Sequence, residues 1–398
     1  MTARPRVSDE QRRARLAVRH CLAPANRPTS VLGAATGVVA LHATEPANVH
    51  LAAAARTGAS REEIDRVLYT DRSVVKQLAM RRTVFAFPRA LLPAVWGSAA
   101  ARVAAQQRDR LARAVVKEGI AADGPAWVAE ATGAVLALLG ERGPMTTAEL
   151  RAALPSLESR LTYAEGKSYG ANIPIAPRVL TTLAASGAVL RGGNAASWKV
   201  SRPRWTVTAE WLGDVLEPTD EREGYRQLVG AWLRAFGPGT EDDVVWWLGA
   251  TRSATRRALA DVAAVEVDLD DGSVGFVLPD DLDIVAASGR WAALLPALDP
   301  TTMGWKQRGF YLGEHAGLLI DRNGNGGPTA WLDGRVVGGW TQKDDGQVVV
   351  VPCEEVDRTG RGLLDAEADR LAHWLDGDVV RTIYQSPLVR SGPSSSSM

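Results

Sequence analysis

Two histidines, a carboxylate and a hydroxyl lie close together in the segment LHATEPANVHLAAAAR, residues 41 to 56. The chain of 398 residues contains only five histidines in all, so two of them fall in this one segment. A neutral imidazole accepts a proton near neutral pH, and a neighbouring carboxylate or hydroxyl can stabilise positive charge or orient a water. His42, Thr44 and Glu45 are therefore candidate catalytic residues. The alternative is the ordinary start of a helix.

The positions of these side chains depend on where the helices begin. Thr44 is a candidate N-cap because Pro46 follows just inside the alanine-rich helix, an arrangement typical of helix starts. A preceding helix is expected to begin at Ser30, which places His42 in the junction between the two helices. His50 then lies one turn inside the second of them, where core packing or a phosphate contact is expected.

The next segment has the order of a winged helix. A capped helix is predicted from Ser60, a second helix from about Asp71 to Met80, and a strand over 82–88. Similar units follow at 143–200 and 225–278, each with helices and a hairpin. Their irregular spacing favours tandem winged helices over a solenoid, whose period would be constant.

From about residue 290 the pattern changes to short apolar runs separated by Gly, Asn and Asp turns, which predicts antiparallel strands. An amphipathic helix, DAEADRLAHWLDGD, follows near the end of the chain. We therefore expect a mainly helical α+β protein with tandem winged helices and a C-terminal β-rich domain. The predicted divisions are 1–125 with the catalytic motif, 126–222, 223–285, 286–390 and a disordered tail, 391–398.

Composition limits the possible functions. Lys plus Arg and Asp plus Glu number 46 each, so the overall charge predicts no polyanionic partner and any nucleic-acid surface must be local. Two cysteines are too few for a disulfide framework, and no signal sequence or apolar run of membrane-spanning length is present, so we expect a cytoplasmic protein. Metal-ligand spacings and nucleotide-binding fingerprints are also absent, which predicts no metal and no cofactor.

Read in order, the motifs resemble the winged-helix DNA glycosylases of the AlkZ and YcaQ type. The resemblance runs from the first helix pair through DRSVVKQLAMRRTVFAFP, FGPGTEDDVVWWLG and DGRVVGGWTQKDDGQVVV. It implies a C-shaped clamp of winged helices and a β-domain that excises alkylated purines, including bulky N7-guanine adducts and crosslinks. It also implies self-resistance to a DNA-alkylating natural product as a possible role.

The resemblance places the catalytic motif at residues 42 to 44. In that family a Gln-x-Gln or Gln-x-Asp motif precedes a helix that begins with Pro, and the matching residues here are His42, Ala43 and Thr44. The chain departs from the common pattern at both catalytic positions. A histidine can accept a proton from water where Gln can only orient it. No lysine matches an imine-forming nucleophile, so we expect a monofunctional hydrolase.

Double-stranded DNA carrying an alkylated guanine is the expected partner, bound by a monomer that associates with the nucleoid when it acts. Basic residues are expected to contact phosphates, and the thirteen tryptophans include Trp305 and Trp340 as candidates to flank a lesion. A solvated, salt-bridged surface is the alternative for each single cation. The predicted DNA-binding residues are Arg81, Arg82, Lys306, Arg308, Trp340, Gln342 and Lys343.

Two other functions remain open at this point. One is a DNA-binding regulator without enzymatic activity, although such a protein usually needs a dimer to read two half-sites and no dimerisation helix is evident. The second is a resistance protein that sequesters the toxin itself.

Overall fold

A computed structural model of the chain describes residues 4–163 and 171–390. The predicted disordered tail, 391–398, lies outside the described residues. The chain divides into two compact units. The first contains the described residues of Met1–Val74, Ala86–Pro88 and Arg226–Met398, and the second contains Val75–Phe85 and Arg89–Tyr225.

The N-terminal part of the chain contains the first winged helix. Its strands take the order β2-β4-β3, which is the sheet order of this motif, with helices α3 and α4 between β2 and β3. A capping box at Ser60 and Glu63 begins α4, which continues into a π-helical turn, Arg66–Thr70. The elements are β1 Arg6–Val7, α1 Asp9–Arg19, α2 Val31–Gly37, β2 Leu41–His42, α3 Pro46–Thr57, α4 Arg61–Asp65, β3 Val74–Ala79 and β4 Thr83–Pro88.

The predicted helix from Asp71 to Met80 is wrong, because this segment forms strand β3 instead. The chain leaves the helix at Thr70, and Arg72 takes a positive φ of 54° that ends any helical continuation. The β-branched pair Val74 and Val75 then enters the buried strand. The winged-helix order is still present, because its two helices are α3, which precedes Ser60, and α4, which is the helix predicted from Ser60.

The second unit contains the second winged helix. Met145 pairs with Trp205 on β8, and β8 pairs with β7, so the three-stranded order of the motif recurs. A hairpin of β5 and β6 is inserted between its helices α8 and α9. The elements are α5 Leu92–Gly97, α6 Ala99–Lys117, α7 Gly124–Arg142, α8 Thr147–Ala153, β5 Arg160–Tyr163, β6 Ala171–Pro174, α9 Ala176–Ala185, β7 Val189–Asn194, β8 Pro203–Val207 and α10 Thr208–Leu212.

The third winged helix follows directly. Gly239 bridges Phe276 on β10, β10 pairs with β9, and β1 from the N-terminus adds a parallel edge strand. A capping box between Thr240 and Asp243 begins its middle helix. The elements are α11 Glu221–Phe236, α12 Glu241–Leu248, α13 Arg252–Asp261, β9 Val265–Leu269 and β10 Val274–Val277.

The last part of the first unit is an antiparallel sheet in the order β11-β12-β13-β14. Leu364, Leu371 and Leu375 are buried on the amphipathic helix α16, which packs against β11 and β14. The elements are β11 Ala292–Leu295, α14 Gly309–Leu312, α15 Ala316–Leu319, β12 Thr329–Leu332, β13 Arg335–Gln342, β14 Val348–Pro352, α16 Arg358–Leu375 and α17 Pro387–Arg390.

The expected α+β fold with winged helices and a C-terminal sheet is confirmed. The division into domains at the residues given above stays a prediction. Among the helices of the described residues, none combines the length and the apolar composition needed to cross a bilayer. Within the same residues, no cluster of three or more His, Cys, Asp or Glu side chains is arranged to hold a metal ion.

Candidate active site and nucleic-acid interface

The candidate motif lies on the short strand β2 and the turn that leads into α3. Glu45, and not Thr44 as expected, is the N-cap of α3: its φ and ψ are −95° and 128°, and its carbonyl accepts the first helical hydrogen bond from Asn48 at 3.1 Å. Pro46 occupies the first helical position, where its missing N–H costs nothing. Thr44 is exposed, and within the described residues its hydroxyl makes no hydrogen bond. That hydroxyl is therefore available to a water or to substrate.

His42 is buried between apolar neighbours, with 7% of its surface exposed. Its Nδ1 accepts a hydrogen bond from the backbone N–H of Thr44 over 3.5 Å. This distance is long for such a bond, so the bond is weak. An Nδ1 that accepts a hydrogen bond is unprotonated, which places a proton acceptor on the same turn as the exposed Thr44 hydroxyl.

The Glu45 carboxylate accepts three hydrogen bonds. Asn48 donates from Nδ2 at 3.3 Å, Thr382 from Oγ1 at 2.7 Å and Ile383 from its backbone N–H at 2.9 Å. Hydrogen bonds to an ionised group are stronger than those between neutral groups. The carboxylate therefore holds the residue 382–383 segment against the start of α3, and it places a negative charge three residues from His42.

Helix α3 is held at two further points by the loop that follows β11. Asn48 Nδ2 also donates to the carbonyl of Ala297 at 2.9 Å. Near the end of the helix, Arg56 forms a buried bidentate ion pair with Asp299, with N···O distances of 2.8 and 2.7 Å. Arg56 also donates to the Thr301 hydroxyl at 2.8 Å. A helix fixed at both ends keeps the motif at its start in one position.

His50 is a core residue. Its surface is 1% exposed, Nε2 lies 2.9 Å from a carboxylate oxygen of Asp65, and Nδ1 lies 3.3 Å from the carbonyl of Pro46. Both ring nitrogens therefore have protein partners. Of the two readings open from the sequence, this burial favours core packing over a phosphate contact.

A small cavity of about 30 Å³ lies beside α3. Its lining includes Asn48, Leu51, Trp340, Arg381 and Thr382. A space of this size holds a water or two and not a purine base. It therefore offers no pocket for a base turned fully out of the DNA helix.

Arg81 and Arg82 form the turn between β3 and β4, which is the wing of the first winged helix. Both residues are exposed, and both adopt positive φ values, 55° and 60°. A left-handed conformation costs a non-glycine residue about 1–2 kcal/mol, and Asn-Gly is the usual sequence of such a hairpin turn. Two arginines are thus presented at the tip of a hairpin, at an energetic cost that the turn itself does not explain.

The other predicted DNA-binding residues have different surroundings. Trp340 and Gln342 are 4% and 5% exposed, so neither reaches a duplex from its present position. The Trp340 indole N–H donates to the carbonyl of Leu295 at 2.8 Å, and Gln342 Nε2 donates to the carbonyl of Gly346 at 3.1 Å. We correct both expectations for this reason.

The three other cations among the predicted DNA-binding residues differ in their hydrogen bonds and in their exposure to solvent. Arg308 donates to the carbonyl group of Trp305 in its own loop and to that of Gly324 in the turn after α15. Trp305 is buried, with its indole N–H bonded to Phe236, so it flanks nothing outside the core. Lys306 is half exposed near Asp242, and Lys343 is exposed at the β13–β14 turn, where it donates to Gln347. Of Arg308, Lys306 and Lys343, the two lysines are the exposed ones.

No feature of the sequence pointed to Thr382 and Ile383. They lie 337 and 338 residues from Glu45 and carry no motif of their own. Asn48 could have been found from its position one turn after the N-cap, where a polar side chain on an apolar helix face is unusual. Its second partner, the carbonyl of Ala297, has no sequence signature.

Comparison with known proteins identifies the family. The sequence profile described as DNA glycosylase AlkZ-like matches residues 35–374. A search of curated proteins gave no match. Among solved structures, the fold is similar to Streptomyces sahachiroi DNA glycosylase AlkZ, with a TM-score of 0.73 and 23% sequence identity over 94% of this chain and 98% of that chain. With the match extending over most of its length, the chain belongs to the family of AlkZ-like DNA glycosylases.

Proposed function

We propose that the chain is a monofunctional glycosylase that hydrolyses the N-glycosidic bond of N7-alkylated guanines, with bulky adducts as its substrates. The observation that carries this proposal is that His42 Nδ1, which accepts only a long 3.5 Å hydrogen bond from the Thr44 backbone N–H in its turn, lies two residues from the exposed Thr44 hydroxyl. A protein making such a cut would repair DNA damaged by an alkylating natural product, which is a self-resistance role.

The chemistry requires little of the enzyme at the base. An N7-alkylguanine already carries a positive charge, so it leaves without protonation. The remaining tasks are to stabilise the oxocarbenium-like sugar and to activate a water. His42 is assigned the second task, with Nδ1 accepting the proton of a water that replaces the long contact from Thr44.

Thr44 and Glu45 support this step. The Thr44 hydroxyl orients the water from the exposed side of the turn. Glu45 supplies a negative charge next to the developing positive charge of the sugar, while its three hydrogen bonds keep the carboxylate from moving. We assign Glu45 an electrostatic and positioning role because those bonds leave it poorly placed to accept a proton as well.

The cavity beside α3 is too small for a purine base, and the exposed position of Thr44 is compatible with an adducted base that stays near the duplex. A tight pocket selects small bases that enter it, whereas an adducted base that stays near the duplex needs no such pocket. Arg81 and Arg82 at the wing, together with Lys306 and Lys343, are the phosphate contacts we propose. A chain with several winged helices can bind one duplex as a monomer, and we propose that state.

The test uses duplex DNA containing one bulky N7-alkylguanine, with an N7-methylguanine duplex for comparison, incubated with enzyme in excess and then heated in alkali to cut the abasic site. His42→Ala is expected to slow excision about 100-fold, the lower part of the range for removal of a general base. His50→Ala is the matched control, because it removes the other histidine of the segment from a buried, structural position. Folded His50→Ala protein should excise at close to the wild-type rate.

A second variant separates proton transfer from orientation. His42→Gln restores the residue type common in the family, and it is expected to recover part of the rate while losing the rise of rate with pH that a titrating base gives. Without heat and alkali the DNA strand should stay intact, and borohydride should trap no protein on DNA. Absence of excision by the wild-type protein from any N7-alkylated duplex would overturn the proposal.

A further inference from the structure

Ile383 is exposed to solvent at the start of the candidate active site. Its surface is 84% exposed, although isoleucine is among the residues most often buried. A single exposed apolar side chain needs no explanation on a mobile loop. Ile383 differs because its backbone N–H donates to the Glu45 carboxylate at 2.9 Å, which ties it to the N-cap of the motif helix.

The residues on either side of Ile383 are fastened as well. The Thr382 hydroxyl donates to Glu45 and accepts from the backbone N–H of Tyr384 at 3.0 Å. On the preceding side, the Val380 N–H donates to Gln342 Oε1 at 2.9 Å. The segment is therefore held by hydrogen bonds before and after Ile383, and the isoleucine side chain projects from it into solvent.

We infer that Ile383 is an apolar wedge that enters the base stack of the DNA next to the modified nucleotide. The inference rests on the proposed function, which it deepens by naming how the duplex is opened. Isoleucine is one of the side chains that proteins insert between base pairs, where it unstacks one step and kinks the helix. A branched, stiff side chain on a fixed backbone loses little conformational freedom on insertion.

The shared carboxylate explains why the wedge belongs to this site. Glu45 binds the backbone of Ile383 on one side and is the N-cap of α3 on the other, three residues after His42. The distance between the wedge and the catalytic turn is thereby fixed. When Ile383 opens the base stack, the sugar of the adjoining nucleotide becomes accessible to the turn that carries His42 and Thr44. This arrangement needs no pocket large enough for a base.

Local charge is compatible with a duplex at this position. The Arg381 guanidinium pairs with the carboxylate of Asp344, so these two opposite charges compensate each other. Arg381 also donates to the carbonyl of Gln342. The ion pair therefore adds no net negative charge two residues before Ile383, where a net negative charge would repel DNA phosphates.

Ile383→Ala tests the wedge, and Ile284→Ala is the matched control, since Ile284 is also 84% exposed but has no hydrogen bond to the motif. Single-turnover excision of N7-methylguanine is compared in duplex and single-stranded DNA. Ile383→Ala should slow excision about tenfold from the duplex and much less from the single strand, because unstacking is needed only in the duplex. Ile383→Leu should keep most of the activity, and Ile284→Ala should match the wild type.

A second readout does not depend on excision. With 2-aminopurine beside a stable abasic analogue in the duplex, binding of the wild-type protein should raise the fluorescence through unstacking, and binding of Ile383→Ala should not. Equal losses on duplex and single strand, or an unchanged fluorescence rise with Ile383→Ala, would overturn the wedge. A fluorescence rise that requires Ile383, in a wild-type protein that excises no N7-alkylguanine, would uphold the wedge and overturn the proposed substrate.

Discussion

The Thr382 hydroxyl donates a 2.7 Å hydrogen bond to the Glu45 carboxylate across 337 residues of sequence. This bond joins the first helix turn after the catalytic motif to a segment without regular secondary structure near the other end of the described chain. Because the partner is ionised and the pair is only partly exposed, the bond contributes more than a neutral surface contact would. The position of the motif therefore depends on a part of the chain that contains no recognisable motif.

Replacement of Thr382 by Val removes this hydroxyl while keeping the shape of the side chain. We expect the free energy of unfolding to fall by about 1.5–3 kcal/mol, the range for a hydrogen bond to a charged group. Excision should slow as well, since Glu45 loses its shortest bond. Urea denaturation and single-turnover excision measure the two effects. Thr382→Ser is the control and should retain both properties, whereas a stable and fully active Thr382→Val protein would contradict the role given to this bond.

The wing offers a test in which stability and DNA binding change in opposite directions. In the double variant Arg81→Asn, Arg82→Gly, both residues suit the positive φ of the turn, so the melting temperature should hold or rise. The logarithm of the DNA-binding constant falls linearly with the logarithm of the salt concentration, and the loss of two phosphate contacts should make this slope shallower by about 2. Fluorescence anisotropy over a range of salt concentrations gives that slope.

The control for the wing is Arg234→Gln, which removes an exposed arginine already paired with Asp280. Its salt slope should equal that of the wild type. If the wing variant and the control bind DNA with the same salt dependence, the wing is not part of the DNA interface. A wing variant that loses stability would show instead that the two arginines serve the fold.

His20 makes stability depend on pH. It is fully buried, with Nδ1 2.9 Å from the Thr301 hydroxyl and Nε2 3.1 Å from the carbonyl of Ala235. Burial, and after it the charge of Arg56, lowers the pKa of His20 from 6.5 to about 3. Between these values the unfolded chain binds a proton that the folded protein does not, so stability is full above pH 6.5 and is lost as the pH falls toward 3.

This site alone should lower the free energy of unfolding by up to about 1.4 kcal/mol per pH unit in that window. His20→Gln keeps a donor and an acceptor but cannot titrate, so its stability should change less between pH 6 and pH 4. Urea denaturation at several pH values measures the difference. Parallel curves for the two proteins would show that His20 does not remain neutral in the folded state.

The elements that could be predicted from sequence are those with local signals. Ser60 with Glu63 is a capping box, and it begins a helix where the pattern predicts one. The segment after Asp71 was misassigned because its residues suit either a helix or a strand. Pairing with β4 across the Arg81–Arg82 turn, a contact that helical periodicity does not register, decides for the strand.

The candidate site also contains residues that could be predicted from local sequence and residues that could not. His42 and Glu45 are visible from residue type and from their place before Pro46. The N-cap itself was assigned one residue early, since Thr is a common N-cap and Glu is not. Trp340 and Gln342 are predicted at a surface because a tryptophan and a glutamine next to a lysine suit a DNA interface as well as they suit a protein core. Their burial follows from the pairing of β13 with β14, which sequence alone does not determine.

The division of the first unit between the two ends of the chain affects when the enzyme becomes active during its synthesis. His42 is translated early, but the residues that hold its helix, Ala297, Asp299 and Thr382, all emerge from the ribosome after the whole of Arg89–Tyr225. A nascent chain therefore carries the candidate catalytic residues long before it contains the residues that hold their helix in place. Products of interrupted translation should lack these contacts.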